Sequence, residues 1–239
     1  MANKGETKTM KRLNAPRTAK IKRKAGKFLV QTKCGPHAKD KSVSLLTILR
    51  DLLGLSKTSK EAKTILNEGK LLVDGVIVKD VRRPIGFMDV ISLPSVDKFY
   101  RVVYDRHGRI ALVEIDRRNS GFKLSKVTGK TRINKGVTQL NLHDGKNMLV
   151  EKDTYSVGDV LKLSIPDQKI MDSYPLKEGS IAYVTGGKHA GQTATIKGIV
   201  EGTMNRNPLA VLQEKENEFQ TRKNYVFVLG VKEPAVKLE

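Results

Sequence analysis

The apolar positions of this 239-residue chain change rhythm along its length, and each change predicts an element. Residues 1–41 have no apolar period. Leu13, Ile21, Phe28, Leu29 and Val30 interrupt a polar run that Pro16 and Pro36 punctuate. From 43 onward, "VSLLTILRDLLGL" places Leu45, Ile48, Leu49 and Leu52 at helical spacing, with Gly54 as a stop. "TSKEAKTILNEG" opens a second helix on a Thr58/Glu61 capping box and closes it at Gly69. Ala62, Ile65 and Leu66 form its inner face; Lys60, Lys63 and Asn67 share the outer one. "LLVDGVIV" reads as a hairpin turning on Asp74-Gly75, and "DVISL" at 89–93 as a third strand.

Beyond 97 the period is that of strands. "FYRVVYD", "RIALVEI" and "DVLKLSI" are β-rich runs between turns such as "RHG" and "SVGD". Ala194, Ile196 and Val200 keep even spacing in "ATIKGIVEG", and "EFQTRKNYVFVLG" at 218–230 supplies a closing strand. The expected class is α+β with several domains. A basic, extended arm covers 1–41 and a two-helix-on-sheet fold 42–95. A β-rich central domain covers 96–173, a small β module 174–232, and a tail 233–239.

Charge sharpens this picture. Lys and Arg number 45 against 25 Asp and Glu, a formal net charge of +20. Such a field attracts polyanions, nucleic acid first and an anionic membrane surface second. The membrane reading lacks a basic amphipathic helix, a lipidation motif and any apolar run near the ~18 residues that span a bilayer. "MANKGETKTMKRLNAPR" has no apolar core and does not read as a secretory signal. Cys34 is alone, which excludes an internal disulfide and suits a reducing compartment. The basic residues are concentrated at the start: thirteen lie in 1–41, against Glu6 and Asp40 only. The segment reads as an arm that orders on a partner, with Lys11, Arg12, Arg17, Lys20, Lys22, Arg23, Lys24 and Lys27 as its contacts. Arg50, Lys57, Lys60 and Lys63 on or near the helical surface could dock on phosphates, although lysines at such positions can simply solvate a helix. Between 117 and 136, "RRNSGFKLSKVTGKTRINKG" reads as an acid-free loop. It carries Arg117, Arg118, Lys123, Lys126, Lys130, Arg132 and Lys135, whose mutual repulsion phosphates would relieve.

One stretch tests for nucleotide chemistry. "VTGGKHAGQT" at 184–193 has Gly186, Gly191 and Thr193 at P-loop intervals, but Gln192 stands where the phosphate-binding lysine belongs. The residues after Thr193 have strand rhythm, and a P-loop needs a helix N-terminus. A glycine-rich basic turn between two strands remains, with Lys188 and His189 at its tip and Arg222 and Lys223 near the closing strand. His37, His107, His143 and His189 are scattered, without acid/base pairing.

Several stretches carry a resemblance. "LGL" at 53–55, "SKEAK" at 59–63, "VDG" at 73–75 and "MDVISL" at 88–93 are similar to the small RNA-binding domain of a bacterial small-subunit ribosomal protein, pseudouridine synthases and tyrosyl-tRNA synthetases. Lysines replace that pattern's arginines, losing bidentate phosphate geometry, and Met88 replaces its glycine. Gly179, Val184, Gly187 and Gly191 hold the places of a KOW motif, which implies an SH3-like barrel. With "GPH" at 35–37, "GFMDVIS" at 86–92, "YD-x-x-GR" at 104–109 and "TRKNYVFVLG" at 221–230, the chain from about 8 to 231 resembles the S4e family of small-subunit ribosomal proteins. The absence of the further basic tail of eukaryotic members makes it look archaeal.

The resemblance implies a non-catalytic constituent of the 30S subunit, one copy per ribosome, cytoplasmic, bound to 16S rRNA and neighbouring ribosomal proteins. It implies no cofactor, metal, membrane or small-molecule substrate. "GPH" would form a structural bend, with His37 carrying a basic contact. An RNA-modifying enzyme is the main alternative, but no catalytic G-R-L-D-like string occurs. A KOW-type transcription factor would need an α/β domain where this chain has a basic arm. Contacts to phosphate and 2′-OH should dominate, because duplex RNA hides its base edges. Six Tyr, six Phe and no Trp give little material for a single-strand stacking platform.

Overall fold

A computed structural model describes residues 7–133, 136–151, 153–214, 217–231 and 233–236. The chain divides into two compact units. One comprises residues up to Val102 with Arg109–Arg117; the other comprises Val103–Gly108 and everything from Arg118.

In the first unit, the opening segment folds back on itself. β1 (Thr9–Lys11) pairs antiparallel with β2 (Phe28–Val30), Met10 opposite Leu29. The expected extended arm is therefore corrected to a cross-linked loop. The crosslinks are guanidinium groups. Arg12 donates to the Lys22 carbonyl at 3.1 Å, and Arg23 donates to the carbonyls of Leu13 and Ala15, both at 3.0 Å, and Pro16 at 3.3 Å. Arg82 reaches the carbonyls of Gln31 and Thr7 from 51 and 75 residues away. Such contacts have no sequence period, so the pattern of apolar residues could not reveal them.

β3 (Val43–Ser44) leads into α1 (Leu45–Thr47), which continues as a π-helical turn over Ile48–Leu52. Leu45, Leu46, Ile48 and Leu49 are buried, and Gly54 comes next at φ +67°. α2 (Ser59–Asn67) begins at the expected capping box: Thr58 Oγ1 accepts the Glu61 N–H at 3.3 Å. The Glu61 carboxylate accepts the Lys57 N–H at 2.8 Å, which with the Thr58 hydroxyl holds its carboxyl below the usual range. Ala62 and Leu66 face inward.

β4 (Leu72–Val73) and β5 (Val76–Ile77) flank Asp74 (φ +50°) and Gly75 (φ +74°), the two left-handed residues of a tight hairpin turn. After β6 (Pro84–Ile85), which pairs with β3, come β7 (Val90–Leu93), β8 (Lys98–Tyr104) and β9 (Ile110–Ile115). The sheet order is β5-β4-β7-β8-β9, so this unit takes in strands beyond the 42–95 segment. Arg101 is buried here, and burial lowers its guanidinium to about 10 despite the attraction of Asp74.

Met88 stands where the resembling pattern has glycine, and its φ is +68°. The conformation is one that side chains resist; full burial and an N–H bond to the Val102 carbonyl at 2.8 Å hold it. "GPH" is locked against the neighbouring strand. A Cβ at Gly35 would lie 2.8 Å from Pro84, and one at Gly86 would lie 2.3 Å from the His37 ring. The backbone of Gly86 thus forms the floor of the His37 pocket. Gly86→Ala is expected to overpack it and cost about 1–3 kcal/mol, read as a lower denaturation midpoint with unchanged m-value.

At the start of the second unit, residues 118–133 do not form the expected loop. α3 (Arg117–Ser120) is one turn, and β10 (Phe122–Arg132) is an eleven-residue strand. Its first half pairs with β13 (Val160–Ser164), while its second half pairs with β11 (Thr138–Leu142). With β12 (Asn147–Val150) and β14 (Ile170–Tyr174) the order is β12-β11-β10-β13-β14, over a core of Val127, Leu140, Leu142, Leu161 and Leu163.

The remaining sheet is antiparallel, in order β18-β17-β16-β15-β19: β15 (Ile181–Val184), β16 (Thr193–Val200), β17 (Leu209–Glu214), β18 (Asn217–Arg222) and β19 (Val226–Gly230). The glycine-rich turn leads into a strand, not a helix. The expected closing strand is two strands at opposite edges, broken by a 3-10 turn over Lys223–Tyr225. Val200 is exposed despite its even spacing, because the register shifts between Ile196 and Gly198.

Candidate nucleic-acid interface

The sequence-predicted contacts separate into outward cations and cations spent inside the protein. In the opening segment Lys11, Arg17, Lys20, Lys22, Lys24 and Lys27 are exposed, while Arg12 is buried and Arg23 half-buried on backbone carbonyls of the same segment. Arginine carries the crosslinks because its forked donors can hold several carbonyls at once. The lysines around those crosslinks keep their charge at the surface.

His37 is buried, and its Nε2 lies 3.0 Å from both carboxylate oxygens of Asp89. Asp89 also accepts the Gly86 N–H at 2.9 Å. The basic contact expected of His37 is therefore made within the protein. Arg50 forms two 3.0 Å bonds to Asp51, which raise the guanidinium above its ordinary value and neutralise it locally. Lys57, Lys60 and Lys63 are exposed on or beside α2.

Arg117 and Arg118 are exposed on α3, where the chain passes from the first unit to the second, and Arg132 is exposed at the end of β10. Lys130 is half-buried and paired with Asp153; Lys135 lies outside the described residues. Lys123 is no surface contact. It is buried, with Nζ 3.2 Å from an Asp144 carboxylate that is also buried. Burial opposes ionisation of Asp144, yet Lys123, His143 and Lys146 together hold its carboxyl below the usual range.

Lys126 has a different internal role. Its Nζ donates to the carbonyls of Lys223 (3.4 Å), Asn224 (3.2 Å) and Val226 (2.6 Å), bracing the turn that carries Arg222 and Lys223. That turn docks on the glycine-rich one. Thr185 donates to the Tyr225 carbonyl through both N–H (2.8 Å) and Oγ1 (2.9 Å). A Cβ at Gly186 would stand 3.2 Å from the Tyr225 ring. Lys188 and Arg222 are exposed and Lys223 is half-buried. His189 stacks on Phe219 at 4.1 Å and contacts Gln192 through Nδ1, so its ring is partly committed. The structure thus joins 184–193 and 222–225, which the sequence could only name separately.

Among the described residues no group of three or more His, Cys, Asp or Glu could hold a metal ion, and no helix is long and apolar enough to cross a membrane. Exposed cations on β-rich scaffolds, with the remaining cations building the scaffold, define an RNA-binding protein.

Comparison with known proteins narrows the class. The model of the Ribosomal family S4e matches residues 96–170, that of the RS4NT domain residues 4–40, and that of the S4 domain residues 45–91. Relatives named small ribosomal subunit protein eS4 match end to end. That of Methanosphaera stadtmanae is 44% identical over 100% of this chain and 98% of its own. Those of Methanococcus aeolicus (44%) and Desulfurococcus amylolyticus (41%) also cover the whole chain, with 100% and 98% of their own lengths matched. The crystal structure of the 30S ribosomal protein S4e from Thermoplasma acidophilum superposes with a TM-score of 0.71 at 39% identity, covering 80% of this chain and 96% of that one. The chain belongs to the S4e family of small-subunit ribosomal proteins.

Proposed function

We propose that this protein is a structural constituent of the small ribosomal subunit, where it binds 16S rRNA through distributed phosphate contacts and stabilises its fold. The role is architectural rather than catalytic, one copy per ribosome, in the cytoplasm and beside other small-subunit proteins. The carrying observation is end-to-end membership in S4e together with outward cations in each part of the fold. The contact set is Lys11, Arg17, Lys20, Lys22, Lys24, Lys27, Lys57, Lys60, Lys63, Arg117, Arg118, Arg132, Lys188, Arg222 and Lys223. His37 and Lys123 leave the set because both side chains are buried on carboxylates of the protein, and Arg12, Arg23 and Lys126 act as braces.

On this reading 42–95 carries the S4-type RNA-binding fold and 174–232 a KOW module whose five antiparallel strands form an SH3-like barrel. Positive φ at Gly179, Gly187 and Gly191 supports the KOW reading, since such turns let backbone approach phosphate closely.

Two measurements test the function. Tagged protein should sediment with small subunits through a high-salt wash. Purified protein should bind 16S rRNA with log K falling against log[salt] at a slope steeper than about −5, as neutralising eight or so phosphates requires. Free protein in fractionated lysate, or a slope near zero, would contradict the proposal.

A further inference from the structure

The turn at 104–109 is a motif that the contact set leaves unused. It carries Arg106 and His107, both exposed, and the fold places it against the glycine-rich turn. Three contacts make that placement. The Tyr183 hydroxyl, at the end of β15, donates to the Tyr104 carbonyl 79 residues away. Tyr183 is buried, and burial raises its phenol well above the ordinary range, so the hydroxyl remains a donor. Gly191, at φ +80°, lets the backbones meet: a Cβ there would lie 2.7 Å from the carbonyl of Asp105 and 2.8 Å from the Arg106 nitrogen. On the same side a Cβ at Gly108 would lie 3.7 Å from the Ala190 methyl.

The Asp105 Oδ1 accepts the His107 N–H at 2.9 Å, which fixes the turn that carries Arg106 and His107. Arg106 and Lys188 therefore project from two turns in backbone contact. The turn of Arg222 and Lys223 abuts the same glycine-rich segment through Tyr225.

We infer that Arg106 and His107 join Lys188, Arg222 and Lys223 in one composite surface that grips an RNA sugar–phosphate backbone, with Gly191 and Tyr183 as positioning residues. The inference rests on the RNA-binding function proposed above and adds a contact site to it. Arginine suits the place, since its fork can hold two phosphate oxygens where a lysine holds one. Three adjoining turns present several cations together, which suits the repeated phosphates of a polynucleotide backbone better than a single phosphate.

The test uses the full chain and a 16S rRNA transcript, measuring affinity across a salt series. Arg106→Ala and Lys188→Ala should each weaken binding about three- to tenfold and flatten the salt slope by about one. The double variant should flatten it by about two. Arg106→Lys should restore the slope without full affinity. Lys197→Ala, whose lysine is paired with Glu218 in the same sheet, serves as the control and should leave the slope unchanged. Gly191→Ala should lower affinity more than either single loss if it separates the turns, with circular dichroism confirming that the variant is folded. Wild-type slope and affinity in Arg106→Ala and His107→Ala, beside normal RNA binding by the parent chain, would overturn the composite surface alone. A parent chain without salt-dependent RNA binding would overturn the functional proposal as well.

Discussion

Lys123→Ala is expected to destabilise the protein by about 3–5 kcal/mol, because it leaves the buried Asp144 carboxylate without its main counter-charge. Lys123 lies on the part of β10 that pairs with β13, opposite Leu163, and Ser125 on the same strand also reaches Asp144, at 3.5 Å. Chemical denaturation should show the loss as a lower midpoint at unchanged m-value. The pH dependence identifies the cause. In the parent chain the Asp144 carboxyl is held below its ordinary value, so its stabilising contribution is present above the unfolded carboxylate pKa. That contribution is lost as pH falls through the lower folded value. In Lys123→Ala burial is less opposed and the folded pKa should rise. The variant's folded state then takes up protons more readily than its unfolded state, so the gap from the parent should narrow on acidification. A Lys123→Met/Asp144→Leu double variant should recover most of the loss, since an apolar pair of similar volume removes both desolvation costs. A Lys123→Ala protein as stable as the parent would return this residue to the surface set.

Neutralising Lys11, Arg17, Lys20, Lys22, Lys24 and Lys27 together should flatten the salt dependence of RNA binding by about four to five, at ~0.7–0.9 per phosphate released. The structure determines this choice of variant. Deleting 1–41 would also remove β1, β2 and the carbonyls that Arg82 holds, confusing lost charge with lost packing. The six side chains are exposed, so replacing them with glutamine should leave the melting temperature within a few degrees of the parent. A sixfold variant that keeps the parent's slope would exclude the opening segment from the interface.

What could be read from residue order alone was local. The α2 capping box, the Asp74-Gly75 turn and the strand after Gly191 each depend on residues within a few positions, and all three form as expected. The positive φ at Met88 falls where the resembling pattern has glycine. What could not be read depended on distant partners. Residues 122–132 looked like a loop because their charges outnumber their apolar residues. They form a strand because Asp144, the carbonyls of 223–226 and two flanking strands meet them there. Alternation fails as a guide in that strand, since Lys123, Leu124 and Ser125 are buried in succession. The arm looked extended because arginine-to-carbonyl bonds leave no periodic trace.

By itself, the amino-acid sequence determined the sign and density of charge, the two helices and the hairpin of 43–77, and the S4e resemblance. These come from composition and from short-range rules of capping, turning and alternation. Only the tertiary structure decided which cations reach the surface. A lysine's role depends on whether an acid or a carbonyl remote in sequence meets its charge. That meeting separates the enclosed Lys123 from the exposed Lys188 and brings Arg106 beside a turn some 80 residues further along.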